Sequence, residues 1–469
     1  MSRLELPKMI FKISFFCIVS ALASVGQTFT TLINFDYTNG SGPDAALVQG
    51  TDGNLYGTTG LGGTDQNCSN FNGCGTVFKT TPSGTITTLH SFDITDGSYP
   101  TGLTQGRDGN FYGTTAYGGS SNNCTNGCGT VFKITPSGTL TTLHSFEGSD
   151  GSGPYSGLIQ GSDGSFYGTT AYGGASSTCT NGCGTVFKIT AGGALTTLHS
   201  FDGMDGSGPN AGVVQGTDGN FYGTTYSGGT YGAGTVFKMN ARGTVTPLHS
   251  FGGPPPASAG PYSGLIQGAD GDFYGTTEVG GTNTNGTVFK ITATGSLTTL
   301  HAFDYQDGDF PAGVVQGTDG NLYGTTQGGG LYFFGTVFQL NAKGVLTTLH
   351  NFDASDGEDP QSAPVQATNG TFYGTTFTGG QYGTMFSLSV GLGSFVATNP
   401  TSGKVGTHVT ILGNNLASAT SVTFNGTKAT FKASGTYITT TVPTGATTGS
   451  VEVATPKKTL KSDVPFRVP

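Results

Sequence analysis

The tetrapeptide "YGTT" begins at Tyr56, Tyr112, Tyr167, Tyr222, Tyr274, Tyr323 and Tyr373, seven copies spaced 56, 55, 55, 52, 49 and 50 residues apart. A period of this length admits few folds, because each unit must be a small supersecondary element that buries its apolar face against its neighbours. Two further blocks keep step with the first. "GTVFK" begins at Gly75, Gly129, Gly184, Gly234 and Gly286, and recurs as "GTVFQ" at Gly335 and "GTMFS" at Gly383. "TTLHSF" or a close variant ends at Phe92, Phe146, Phe201, Phe251, Phe303 and Phe352.

Each unit reads as four short strands. In the fourth unit these are "AGVVQG", "FYGTT", "GTVFKMN" and "TVTPLHSF". "TDGN" joins the first two, and its Asp-Gly step is a strong hairpin signal. "ARG", or "PSG" in other units, joins the last two. Helical periodicity is absent. A parallel β-helix has shorter coils and no paired tight hairpins, so four strands per repeat of about 50 residues predict a β-propeller. The 83 glycines and 32 phenylalanines among 469 residues fit many tight turns between short buried strands.

The seventh unit lacks its "TTLHSF", while "TTLINF", Thr30 to Phe35, precedes the first unit. An unclosed ring leaves two exposed strand edges. The N-terminal strand is therefore predicted to pair with Gly383 to Leu388. The expected fold is all-β. A seven-bladed propeller closed by the N-terminal strand spans residues 27–390, and a small immunoglobulin-like β-sandwich spans residues 391–469. Alternation in "HVTIL", "SVTFN" and "SVEVA" supports the sandwich.

Residues 1–26 read as a secretory signal peptide. Lys8 and Lys12 precede an apolar run from Ile13 to Leu22, followed by "ALASVG", with cleavage near Ala23 or Gly26. The run is short for a membrane span, which needs roughly 20 residues, and no other stretch is long enough. The mature chain is expected to be secreted or held at the cell envelope, without a transmembrane segment and as a monomer. Cys17 leaves with the signal. The other six cysteines fall in local pairs, Cys68 with Cys74, Cys124 with Cys128 and Cys179 with Cys183. In an exported chain such pairs are expected to be disulfides; a metal site would need a second pair or nearby histidines.

Charge divides the chain. Residues 27–390 hold 8 basic and 24 acidic residues, and residues 391–469 hold seven basic and two acidic. The acidic part disfavours nucleic acid as a partner. The basic tail suits contact with anionic cell-surface polymers.

Side chains repeated in every unit, such as Asp108 and Tyr112, read as scaffold. His90, His144, His199, His249, His301 and His350 occupy one slot per unit. They lie too far apart to share an ion and are expected to bond a neighbouring turn. The glutamines from Gln49 to Gln366 sit on the innermost strands and are expected to satisfy backbone groups around a central channel. Asp-Gly pairs such as Asp96-Gly97 and Asp307-Gly308 carry oxygens of the kind calcium takes, but they read more simply as turns. No metal or cofactor is assigned. Glu278, in "TTEVGG", is the one acid at its loop position and the best single catalytic candidate, without the second carboxylate that glycoside hydrolysis needs. No nucleophile elbow, phosphate loop or zinc spacing is present.

The long connections, from second to third strand and from unit to unit, must share one face, opposite the tight turns. That face carries Tyr117, Tyr172, Tyr231, Tyr332 and Tyr382, the insert Gly252 to Gly260, and the cysteine pairs. It is the expected ligand face. The chain thus reads as a non-enzymatic interaction protein whose partner is a surface protein or glycan, with the C-terminal domain as tether or second contact. The alternative is a glycan-binding or polysaccharide-processing propeller, and after it a lyase-like enzyme.

"QGTDGNFYGTT", "GTVFK" and "LTTLHSF" together resemble the Gloeo/Verruco (GloVer) tandem repeat of exported bacterial proteins, over residues 28 to about 390. The resemblance implies export and a propeller, and brings no established chemistry. More distantly, "DGNLYGTT" followed by "GTVFKITPSGTLTTL" resembles streptogramin-lyase-like propellers. There the tyrosine is usually tryptophan, which this chain lacks, and lyase activity is not carried over. The pattern from Gly406 to Leu416, within "NPTSGKVGTHVTILGNNLASATSVTF", resembles the IPT/TIG immunoglobulin-like fold. Some relatives of that fold bind DNA in transcription factors, a role that export argues against here.

Overall fold

The computed structural model describes residues 26–65, 68, 72–253 and 258–469. The expected signal peptide, apart from Gly26, lies outside the described residues, as does part of the insert after Gly252. No helix of the described residues is long and apolar enough to cross a membrane.

Each of the first six repeats forms one four-stranded antiparallel sheet with its strands in chain order, and the seventh repeat contributes three strands to a seventh sheet. The second repeat is typical, with Ser98–Gln105, Phe111–Tyr117, Thr130–Ile134 and Leu140–Ser145 side by side. Seven such sheets are present, numbered here by repeat. The repeated octamer explains why the sheets form and stack. The Asp-Gly turn places Gly109 at φ 83°, where a side chain is strained. Asp108 caps that turn and accepts a 2.8 Å hydrogen bond from the Tyr112 hydroxyl. The Tyr112 ring then stacks on Phe166 of the next sheet, centroids 3.9 Å apart. Tyr56 meets Phe111, and Tyr222 meets Phe273, in the same way. The glycine of "YGTT" is needed because a Cβ on Gly113 would overlap the ring of Phe132 on the adjacent strand. The second threonine is buried and shares a hydroxyl hydrogen bond with the threonine opposite, Thr115 with Thr130 at 2.9 Å.

The seven sheets form a closed circle, and the innermost glutamines join them. Backbone N–H groups of Thr51, Arg107, Ser162, Thr217, Ala269 and Thr318 donate to the side-chain oxygens of Gln105, Gln160, Gln215, Gln267, Gln316 and Gln366 on the next sheet. Thr368 of the seventh sheet donates to Gln49 of the first at 2.9 Å. The N-terminal strand Thr28–Asn34 supplies the outer strand of the seventh sheet, pairing from Thr28 with Ser389 to Asn34 with Thr384. Its register shifts between Thr31 and Ile33, matching the bulge between third and fourth strands in the other sheets. Ile33 and Phe35 are buried there, at 6% and 1% exposure.

Residues beyond the seventh sheet build two more four-stranded sheets. One contains Ala397–Asn399, His408–Leu412, Tyr437–Thr441 and Phe431–Ala433; the other contains Thr427–Ala429, Ser421–Phe424, Val451–Ala454 and Thr459–Lys461. Val409, Ile411, Phe424, Ile438, Val451 and Phe466 are buried between them. This unit is docked rather than strung on a tether. Thr436 donates to the Thr51 carbonyl at 2.6 Å, Asn414 to the Thr368 hydroxyl at 2.9 Å, and Asn399 to the Gln105 carbonyl at 3.4 Å. All three acceptors lie at the tight-turn side of sheets 1, 7 and 2. The long-connection side is left clear of it.

Candidate ligand-binding face

The long connections are organised by tyrosines from neighbouring sheets. Tyr117 and Tyr172 extend from the second strands of sheets 2 and 3. Tyr155 follows Pro154 at the start of the third repeat. Its hydroxyl meets that of Tyr117 at 2.8 Å. Edge-to-face contacts continue the row, with Tyr99 and Tyr117 centroids 6.2 Å apart, Tyr117 and Tyr155 6.0 Å, and Tyr155 and Tyr172 6.2 Å. Tyr226 and Tyr262 make a second pair at 6.1 Å.

Two cystine loops wall this row. The structure pairs Cys68 with Cys74, Cys124 with Cys128 and Cys179 with Cys183. The loop at Cys124–Cys128 folds back so that the Asn126 carbonyl accepts from Gly118 N–H, and the loop at Cys179–Cys183 repeats this with Asn181 and Gly173. An open cleft of about 610 Å³ lies between the two loops, floored by Tyr117, Tyr155 and Tyr172. A smaller one of about 280 Å³ follows between sheets 3 and 4, bordered by Tyr172 and Tyr226.

Nearer the ring axis, Tyr99 hydrogen-bonds Asp44. Asp44 is partly buried, and among the described residues its Oδ1 has no hydrogen-bond partner. Burial pushes its carboxyl up to about 7, against the Tyr99 hydrogen bond. Burial, and then the charge of Asp44, raise the Tyr99 phenol far above its ordinary value. Tyr99 has φ 59°, in a slot before proline where Gly42, Gly153, Gly208 and Gly260 adopt the same conformation. A bulky residue held in that conformation costs strain; here it places the phenol against Asp44.

Of the sequence-predicted residues, the structure brings Tyr117 and Tyr172 together beside the larger cleft and places Tyr231, Tyr332 and Tyr382 apart from it. Tyr231 covers Gly252 and Gly253. Tyr332 is exposed, on the connection that follows Gly330 in sheet 6. Tyr382 packs on Tyr37 at the seam between sheets 7 and 1, centroids 5.5 Å apart. Glu278 is half-buried and hydrogen-bonded to Tyr226, and burial raises its carboxyl. Sequence reasoning missed Asp44, Tyr99, Tyr155, Tyr226 and Tyr262. The available signal was departure from the repeat: "GPYSG" occurs twice, at 153 and 260, where the other units place Asp44, Thr101, Asn210, Ala312 and Gln361 after the proline.

The histidine and Asp-Gly slots do structural work on the rim. His90 Nε2 lies 2.8 Å from Asp96 Oδ2, and Asp96 Oδ1 accepts from Asp93 N–H. His144, His199, His301 and His350 repeat the pairing with Asp150, Asp205, Asp307 and Asp356. The carboxylates raised above as possible calcium ligands are engaged by the turn. Among the described residues no group of three or more His, Cys, Asp or Glu side chains converges.

Seven equivalent sheets joined in a circle, with a tyrosine-lined face on one side, make this a propeller-like tandem-repeat protein. It belongs to the Gloeobacter/Verrucomicrobia repeat family, whose model matches residues 17–180, 171–388 and 252–443. None of the curated proteins matches its sequence. Among solved structures, it is similar to the extracellular domain of a hybrid two-component system from B. thetaiotaomicron, at 10% identity and a TM-score of 0.49, covering 93% of this chain and 57% of that one. The chain thus spans little more than half the length of that extracellular domain. It is also similar to a periplasmic gluconolactonase from Pseudomonas aeruginosa, at 19% identity and a TM-score of 0.43, covering 68% and 93%.

Proposed function

We propose that this is an exported, non-enzymatic binding protein that holds its ligand on the long-connection face. In this reading residues 1–26 are the signal peptide, and residues 27–390 are a seven-bladed propeller. Residues 391–469 are an IPT/TIG immunoglobulin-like domain that closes the tight-turn side. The mature chain is a monomer, secreted or retained at the cell envelope, where its three disulfides are stable. The observation that carries the reading is the row Tyr99–Tyr117–Tyr155–Tyr172, drawn from two sheets onto one open face and walled by cystine loops. Rigid amphipathic rings on a fixed frame give contact area at low entropic cost.

The test is binding of labelled mature protein to envelopes of the producing cells. Replacing Tyr117, Tyr172 and Tyr226 by Ala should abolish binding with the melting temperature nearly unchanged. Replacing Arg242 and Lys343, on the outer tight turns, should leave it intact. The opposite pattern would refute the assignment of faces.

A polysaccharide-processing reading is favoured by one observation. Asp44 and Glu278 both have raised carboxyls, and both charges act on Tyr262. A carboxyl titrating near 7 suits a general acid. Reducing-end release by wild type but not by Asp44→Asn would establish it.

A further inference from the structure

We infer that the ligand is an uncharged, repeating glycan chain that lies across two related subsites. This inference rests on the binding reading and narrows it. The two clefts share part of their lining, displaced by one sheet, although the second is the smaller and has Asn210 where the first has Tyr155. Tyr117, Asn126 and Ser152 border the first, and Tyr172, Asn181 and Ser207 take the same places in the second. The match extends to detail: Cys124 Sγ lies 3.3 Å from Ser152 Oγ, and Cys179 Sγ 3.3 Å from Ser207 Oγ. Tyr172 borders both clefts, so they form one continuous surface.

Two related subsites side by side are matched best by a ligand with its own repeat, because successive units can then meet the shared Tyr, Asn and Ser positions. The lining sets the chemistry. Among the described residues neither cleft is bordered by an Asp, Glu, Lys, Arg or His, although the chain carries 27 acidic and 18 basic residues. An anionic polymer would find no counter-charge there and would lose hydration without compensation. Exposed carboxamides of Asn126 and Asn181 each offer two donors and an acceptor, which is the complement of vicinal hydroxyls. Tyrosine rings supply the flat, weakly polar face against which the C–H face of a sugar ring packs. The clefts are open at the surface, so a long chain can pass through without presenting an end. A protein partner would bury a larger apolar centre than these grooves provide.

The probes are size-graded neutral oligosaccharides of the cello, xylo, manno and isomalto series, from one to eight units, with alginate and heparin as charged counterparts. They are titrated against the full mature chain by calorimetry. At least one neutral series should bind, with affinity that rises with length and then levels off once both subsites are filled. Tyr172→Ala should weaken the long oligomers roughly tenfold or more, as central aromatic contacts do. Asn126→Ala or Asn181→Ala alone should reduce long-oligomer affinity to that of short ones, and circular dichroism should show each variant folded. Binding of the acidic polymers alone, length-independent binding, or no binding in any neutral series would overturn the inference. Envelope binding that needs the tyrosines but is destroyed by protease treatment of the envelopes assigns a protein partner; it overturns the glycan and leaves the broader reading standing. Loss of tyrosine dependence in the envelope assay removes both.

Discussion

Deleting residues 26–35 from the mature chain tests ring closure directly. The deletion strips the outer strand from the seventh sheet and exposes the edge of Thr384–Ser389. It also removes Ile33 and Phe35, 6% and 1% exposed, whose burial contributes roughly 3–6 kcal/mol together at about 1.5–3 kcal/mol each. Phe29 is lost too, and with it the stack on Phe386, centroids 5.3 Å apart. Against a typical net stability of about 5–15 kcal/mol, that loss is a large fraction of the whole. The truncated protein should melt at least several degrees lower and aggregate through its open edge. A synthetic peptide spanning residues 26–36 should restore the melting temperature by adding the strand in trans. A point variant separates strand loss from side-chain loss. Phe35→Ala should cost as much as Phe92→Ala, about 3–5 kcal/mol in urea unfolding, because both fill the same slot in different sheets. If Phe92→Ala is strongly destabilising and Phe35→Ala is neutral, the N-terminal strand does not close the ring, and the reasoning fails.

Three further outcomes follow from the geometry. Burial raises the Asp44 carboxyl to about 7, so ionising it opposes folding; the cost grows as pH rises from the unfolded value near 4 and is complete above 7. Asp44→Asn should therefore raise the melting temperature more at pH 8 than at pH 5, and equal gains at both would contradict the burial of its charge. On the rim, burial raises Asp150, Asp205 and Asp307, but their histidine and backbone hydrogen bonds outweigh it and hold them below the usual carboxylate range. Their contribution is present above the unfolded value of about 4 and is lost as pH falls through the depressed folded values, so Asp205→Asn should flatten the acid limb of the stability curve. Replacing Asn414 and Thr436 by Ala removes two docking hydrogen bonds, and should enlarge the molecule in small-angle scattering and speed proteolysis near residues 390–396; an unchanged profile would show that docking rests on other contacts.

Most of the scaffold was legible in the chain because each repeat carries its own local instructions. Asp-Gly fixes the turn, the glycine of "YGTT" clears space for the facing phenylalanine, and the missing seventh "TTLHSF" points to the strand that replaces it. The cysteine pairs were equally readable, since four to six residues of separation leave each cysteine one near partner. The site was half legible. Tyr117 and Tyr172 stand out because they follow a repeated strand, and Tyr231, Tyr332 and Tyr382 look alike on paper but are dispersed around the rim. Which sheet lies beside which in the circle, and which slots point toward the axis, is set only when the ring closes. Closure brings Asp44 from the first repeat against Tyr99 from the second and within electrostatic reach of Tyr262 from the fifth. The docking of the C-terminal unit on the tight-turn side is likewise a tertiary decision. It depends on side chains such as Asn414 and Thr436 meeting backbone and hydroxyl groups that only the assembled ring presents together, and no local pattern encodes that meeting.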